Sequence, residues 1–279
     1  MKDKSRQLTI GFLSVLIFFS SVSIGMAGKS YPFAVLPRFF PIVIMERFGP
    51  LVDYLTEETG VDLEFVMPNN FSAHIAMVRK GKALFSYQNP VVFAKVAGQV
   101  KPLAVASKGK DKTRFRGIII VRTDSGIKNV ADLKEKSVSV VSLQSAGGYI
   151  SQKDFLAKNG ISVEIDMIAS ETEDNKQENV IFDVYSNKAD VGFIRESALH
   201  RVDKMIDPAK IKVLAATSWL PNWVFSVHKS VPADVAAQIQ NALLNIPAGS
   251  AVLKAAKLDG FVAPDPQALK AVRKMVLGK

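Results

Sequence analysis

A two-lobed α/β fold is what this 279-residue sequence predicts, on three observations. Short apolar, β-branched runs alternate with amphipathic helical segments, the pattern of mostly parallel sheets with helices on both faces. The alternation begins near Phe33 and begins afresh at Gly117, so two α/β units are expected. The stretch after Thr217 is too small for a third domain and is expected to return and complete the first unit.

The opening residues form a segment of their own. Lys2, Lys4 and Arg6 precede an apolar stretch from Leu8 to Ile24, and Gly25-Met26-Ala27 offers a small-residue cleavage site, so 1–27 has the make-up of a secretory signal peptide. Its densest apolar part, Phe12 to Phe19, is shorter than the roughly 20 residues a spanning helix needs. Residues 28–113 are the first part of lobe one. There Phe33–Leu36 is a strand ended by Pro37, Ile42–Thr59 a helix capped by Gly60 with Pro50 set to kink or divide it, and Val61–Met67 a strand. Phe71–Lys80 follows as a helix closed by Gly81, and Ala83–Tyr87 as a strand.

Residues 114–215 make lobe two, with strands at Gly117–Arg122, Ser137–Ser142, Ser162–Ile168 and Ala189–Ile194 and helices at Asn129–Leu133, Gly148–Asn159 and Val180–Ser186. Residues 216–279 are the return segment, with helices near Ala233–Leu244, Ser250–Lys257 and Pro266–Leu277. Crossings near Val105–Phe115 and Val213–Ser218 join the lobes and leave a cleft, where strand carboxyl ends and helix amino ends meet.

Composition excludes several function classes. The chain has no Cys, hence no disulfides, no thiol chemistry and no lipid-attachment cysteine. Its formal net charge of +10 stays positive after loss of 1–27 and suits an anionic ligand, whereas the scattered lysines, without basic–aromatic alternation, argue against nucleic acid. His74, His200 and His228 are widely spaced, and no metal site is expected. No nucleophile elbow or phosphate-binding loop occurs, so neither a catalytic set nor a cofactor is expected. The acidic group Glu171, Glu173, Asp174 and Glu178 has the make-up of a solvated loop and helix start.

The most informative motif is Ser145-Ala146-Gly147-Gly148-Tyr149, between a strand and a helix. Helix-start N–H groups lack intrahelical acceptors and sit at the positive end of the dipole, so this turn is either an anion site or an ordinary N-cap with a flexible bend. Arg195 follows the strand ending at Ile194 and either points into the crevice or makes a surface salt bridge with Glu196 or another neighbour. Tyr87 and Asn89 end the third strand, and Arg38, Phe39 and Phe40 follow the first; each is a cleft candidate or a packing or capping residue. Trp219 and Trp223 either wall the cleft or brace the hinge.

These pieces together carry a resemblance. Pro37-Arg38, Phe48–Leu55, Tyr87-Gln88-Asn89-Pro90, Arg122–Ile127 with Ala131–Lys134, and Ser145–Tyr149, in that order, resemble the phosphonate/phosphite-type periplasmic binding proteins of ABC importers over nearly the whole chain after the leader. The resemblance implies a type II periplasmic binding fold, each lobe a mixed sheet flanked by helices, closing on a small oxyanion. The partner it implies is a membrane permease, and the binding protein itself would be a periplasmic monomer without enzymatic activity. Phosphonate binders carry a turn like Ser-Thr-Ser-Gly-Tyr, where Ala146 and Gly147 here remove two hydroxyl donors. Their acid after the later strand is replaced, since Arg195 and Glu196 stand there, so a plain oxyanion fits better than an aminophosphonate. Ser-x-Gly-Gly-aromatic, Asn-Pro after the third strand, Val-Gly-Phe-Ile-Arg and Ser-Trp-Leu-Pro-Asn-Trp are closer to the sensory domains of tetrathionate-type histidine kinases, which implies an alternative partner, a membrane sensor kinase.

Overall fold

The computed structural model describes residues 30–109 and 112–278. The signal-peptide reading of 1–27 lies outside the described residues. In chain order the elements are β1 (Tyr31–Val35), α1 (Pro41–Thr59), β2 (Leu63–Phe65), α2 (Phe71–Arg79), β3 (Phe85–Gln88), α3 (Pro90–Val96), β4 (Val100–Ser107), β5 (Arg114–Phe115) and β6 (Gly117–Arg122). They continue with β7 (Ser137–Val140), α4 (Ser151–Lys158), α5 (Val163–Asp166), β8 (Ile168–Glu171), α6 (Gln177–Tyr185), β9 (Val191–Arg195), β10 (Ile211–Ala216), β11 (Leu220–Pro221) and β12 (Val224–His228). The chain closes with α7 (Ala233–Leu244), α8 (Ala251–Ala256), β13 (Gly260–Val262) and α9 (Pro266–Leu277).

Two mixed sheets organise these elements. One has six strands in the order β13-β4-β12-β3-β1-β2, and the other five in the order β10-β6-β9-β7-β8. Between them the chain crosses twice, and the crossings pair as a two-stranded antiparallel ribbon, Leu220 opposite Phe115 and Pro221 opposite Arg114. The strands β1, β2 and β3 run parallel, while β12 is antiparallel to both β3 and β4, so the return segment enters the middle of the first sheet.

Period-two alternation explains β6, an interior strand of the second sheet. Ile119 and Val121 of β6 join a core with Leu133, Val138, Leu156 and Phe193, while Ile118 and Ile120 face Val180, Ile181 and Val184 on the other side. In the first sheet Phe33, Phe85 and Phe225 meet across strands, with the Phe33 and Phe225 rings stacked at 5.1 Å. A smaller cluster ties the sheets together: Val91 and Ala94 of α3, Phe115 and Leu220 of the crossings, Ala146, and Val272 of α9.

Several sequence expectations are corrected. Pro50 does not divide α1, which runs unbroken because Ile44, Phe48, Leu51, Val52 and Leu55 bury one continuous face. Ser162–Ile168 alternates like a strand but begins as a helical turn: the Asp166 carboxylate accepts the Ser162 N–H at 2.7 Å, and the Asp166 N–H donates to the Ser162 carbonyl at 2.7 Å. The strand there is β8. The second crossing lies at Leu220–Pro221, later than Val213–Ser218, because β10 pairs along β6 up to Ala216. Strands β4, β12 and β13 and helix α3 were not anticipated.

Candidate functional site

Arg38 leaves the carboxyl end of β1, and its guanidinium lies 4.2 Å from the Trp223 ring centroid and 4.8 Å from that of Phe39. Arg47 of α1 takes the same Phe39 ring at 4.1 Å. The aromatic faces attract these planar cations and restrict their orientation. Arg38 keeps access to solvent, yet protein surrounds it closely enough that burial, then Arg47 and Arg201, lower its pKa to about 10.

Tyr87 is the third of the four residues of β3. Its ring packs on Phe48 at 5.2 Å, Trp223 at 5.3 Å and Phe261 at 6.2 Å. Burial raises the phenol pKa, and the positive charges of Arg38 and Arg195 oppose that rise. Asn89 is a cap: its Oδ1 accepts the Val92 N–H at 2.9 Å, with Pro90 beginning α3.

Arg195 approaches from the second sheet, at the end of β9. Its guanidinium lies 4.0 Å from the Phe115 centroid, over the crossing. Glu196 does not take it. That carboxylate instead holds Arg116 through two bonds of 2.9 and 2.6 Å.

Ser145 caps the following helix, its Oγ accepting the Gly148 N–H at 3.1 Å. The two glycines serve packing: a Cβ on Gly147 would come 2.8 Å from the Phe115 ring, and one on Gly148 would come 2.6 Å from Val141. Ala146 is buried in the cluster between the sheets. Tyr149 stands apart from the arginines, with its ring in the second sheet's core and its hydroxyl donating to Glu164 at 3.0 Å. Trp219 braces the hinge between Arg114 at 4.4 Å and Arg116 at 4.7 Å, while Trp223 serves both core and cleft.

Arg38, Phe39, Tyr87 and Arg195 are therefore brought together, and Lys108, Arg47 and Arg201 join them. Lys108 had a legible signal, since it follows β4 as Arg38 follows β1, but Val100–Ser107 was not read as a strand. Arg47 and Arg201 enter through tertiary packing that no local spacing reveals. A depression of about 530 Å³ beside α2, reaching Lys95 and Gln144, contains none of the clustered residues. Among the described residues no group of His, Asp or Glu is arranged to hold a metal.

Residues 33–269 match the family of periplasmic phosphonate substrate-binding proteins of ABC transporters. The chain belongs to that family. Its fold is shared with the Prochlorococcus marinus phosphonate-binding protein PhnD1 in complex with methylphosphonate, at a TM-score of 0.72 and 14% identity over 88% of this chain and 97% of that one. XAC2383 from Xanthomonas citri, solved with chloride, is similar at a TM-score of 0.77 and 19% identity, over 88% and 97% of the two chains. The tetrathionate sensor histidine kinase TtrS of Salmonella typhimurium is 24% identical over 229 residues, 72% of this chain but only 37% of the kinase. This phosphonate-binding family member thus spans about a third of that relative's length.

Proposed function

We propose that the chain is the substrate-binding component of an ABC importer and takes a small phosphonate-, phosphite- or phosphate-like oxyanion into the cleft between its lobes. The observation that supports this reading is that Arg38, over Trp223, and Arg195, over Phe115, come from different sheets and that the charge of each is felt at the Tyr87 phenol. Lobe one comprises 28–113 and 216–279 and lobe two 114–215, with closure about the paired crossings presenting a new surface to a permease. Residues 1–27 direct export and are then removed.

A thermal-shift screen against phosphate, phosphite, methylphosphonate, aminoethylphosphonate, sulfate, thiosulfate and tetrathionate tests the reading. A ligand at 100 times its dissociation constant adds about 2.7 kcal/mol, a visible rise in melting temperature. Selective stabilisation by one oxyanion supports capture; a flat response to all of them contradicts it. The similarity to a tetrathionate sensor kinase favours a second reading, a sensing protein that reports a sulfur or phosphorus oxyanion to a membrane kinase. Ligand-dependent copurification with a kinase in place of a permease would select it.

A further inference from the structure

Gln152, the second residue of α4, is a long amide with no exposed surface. Its Nε2 donates to three backbone carbonyls: Ile118 of β6 at 3.1 Å, Gly147 of the turn at 3.0 Å and Ile194 of β9 at 3.1 Å. Two N–H groups serve three acceptors, so one is shared. The Ser151 hydroxyl donates to Oε1 at 3.0 Å and sets the amide's direction, since a flipped amide would put that oxygen against three carbonyl oxygens.

The carbonyls converge beside Arg195. In the pairing of β6 with β9, Gly117 stands opposite Arg195 and Ile118 opposite Ile194. A Cβ on Gly117 would come 2.4 Å from Gln152 Nε2, so the bare strand is what lets the amide reach the backbone there. On the turn, a Cβ on Gly147 would come 3.5 Å from the Arg195 Cβ and 2.8 Å from the Phe115 ring that carries the guanidinium.

A second glutamine completes the arrangement. Gln177, the first residue of α6, accepts the Arg195 N–H on its Oε1 at 2.7 Å. One peptide unit, Ile194–Arg195, is therefore held at its carbonyl by Gln152 and at its N–H by Gln177. The pairing of β9 with β7 runs only to Phe193, so the two side chains take hold where that ladder has ended. A peptide unit is planar, and holding both its polar ends sets the direction in which the Arg195 side chain departs.

Resting on the functional reading above, we infer that Gln152 and Gln177 are positioning residues for capture: they clamp the Ile194–Arg195 peptide and so aim the Arg195 guanidinium at the anion. Without either amide the ligand must order Arg195 itself, and affinity falls.

Calorimetric titration with phosphate, phosphite, methylphosphonate, sulfate and tetrathionate first finds which anion the wild type binds most tightly. That anion is then titrated into Gln152→Met and Gln177→Met, and into each combined with Arg195→Met. The expected result is a loss of about tenfold for each glutamine change alone, and of less than about twofold once Arg195 is already methionine. Gln177 is half-buried at the start of a helix, so its variant decides the matter should Gln152→Met not fold. Wild-type affinity in either folded glutamine variant overturns the inference and leaves the functional reading standing. So does a loss of the same size in the Arg195→Met background, which marks a general effect on the fold. If the wild type binds none of these anions, the functional reading fails and the inference fails with it.

Discussion

At the scale of single residues, aromatic rings decide where the charges stand. Arg38 on Trp223, Arg47 on Phe39 and Arg195 on Phe115 are each held by a face worth about 0.5–2 kcal/mol, so little rotamer freedom is left for a ligand to remove. Strand-end logic located Arg38 and Arg195 in the sequence, because a residue leaving a parallel strand's carboxyl end faces the crevice. It could not tell Tyr149 from a cleft residue, since only the fold shows its hydroxyl committed to Glu164.

His74 is a second residue with a definite consequence. Its Nε2 lies 3.1 Å from Gln88 Oε1, while Gln88 Nε2 donates to Ser226 Oγ at 2.7 Å, so the ring donates from Nε2 and Nδ1 is left bare. Protonation would bury an N–H without an acceptor, and burial lowers the pKa to about 4. Between pH 6.5 and 4 the unfolded chain binds this proton and the folded one does not, so stability falls as pH drops through that window. The loss amounts to about 3 kcal/mol. Urea unfolding at pH 7 and pH 4.5, with an NMR titration of the ring, checks it; a ring titrating near 6.5 would contradict it.

At the scale of elements, glycine pairs and prolines were the ambiguous signals. Gly147-Gly148 suggested a ligand approaching bare backbone, whereas the space beside each is filled by Phe115 or by Val141 and Ser145. Gly148→Ala is accordingly expected to destabilise the fold by roughly 1–3 kcal/mol, measured by denaturant midpoint. An unchanged midpoint would show that the turn has room and that the glycine serves something other than packing. Helix and strand identity was legible where periodicity was long, as in α1 and β6. It failed at Ser162–Ile168, where one carboxylate bonding back to its own turn outweighed the alternating pattern. Strands as short as β13 carry too few residues to show a period.

At the scale of the whole molecule, two sheets meet through the paired crossings and the cluster of Val91, Ala94, Phe115, Ala146, Leu220 and Val272. The two-unit plan was legible because the α/β alternation begins twice. The return strand β12, central to the first sheet, was hidden by its distance in sequence from β3 and β4, which it joins. Opening the lobes would separate Arg38 from Arg195, and closing them on an anion would hold both at once, which couples capture to shape.

The most direct test is a calorimetric titration of the anion giving the largest thermal shift into the wild type, Arg38→Met, Arg195→Met and the double variant. The account predicts that each single change weakens binding by about 2 kcal/mol or more, and that the double change costs less than the two together, because one anion bridges both cations. Wild-type affinity in either single variant would contradict it.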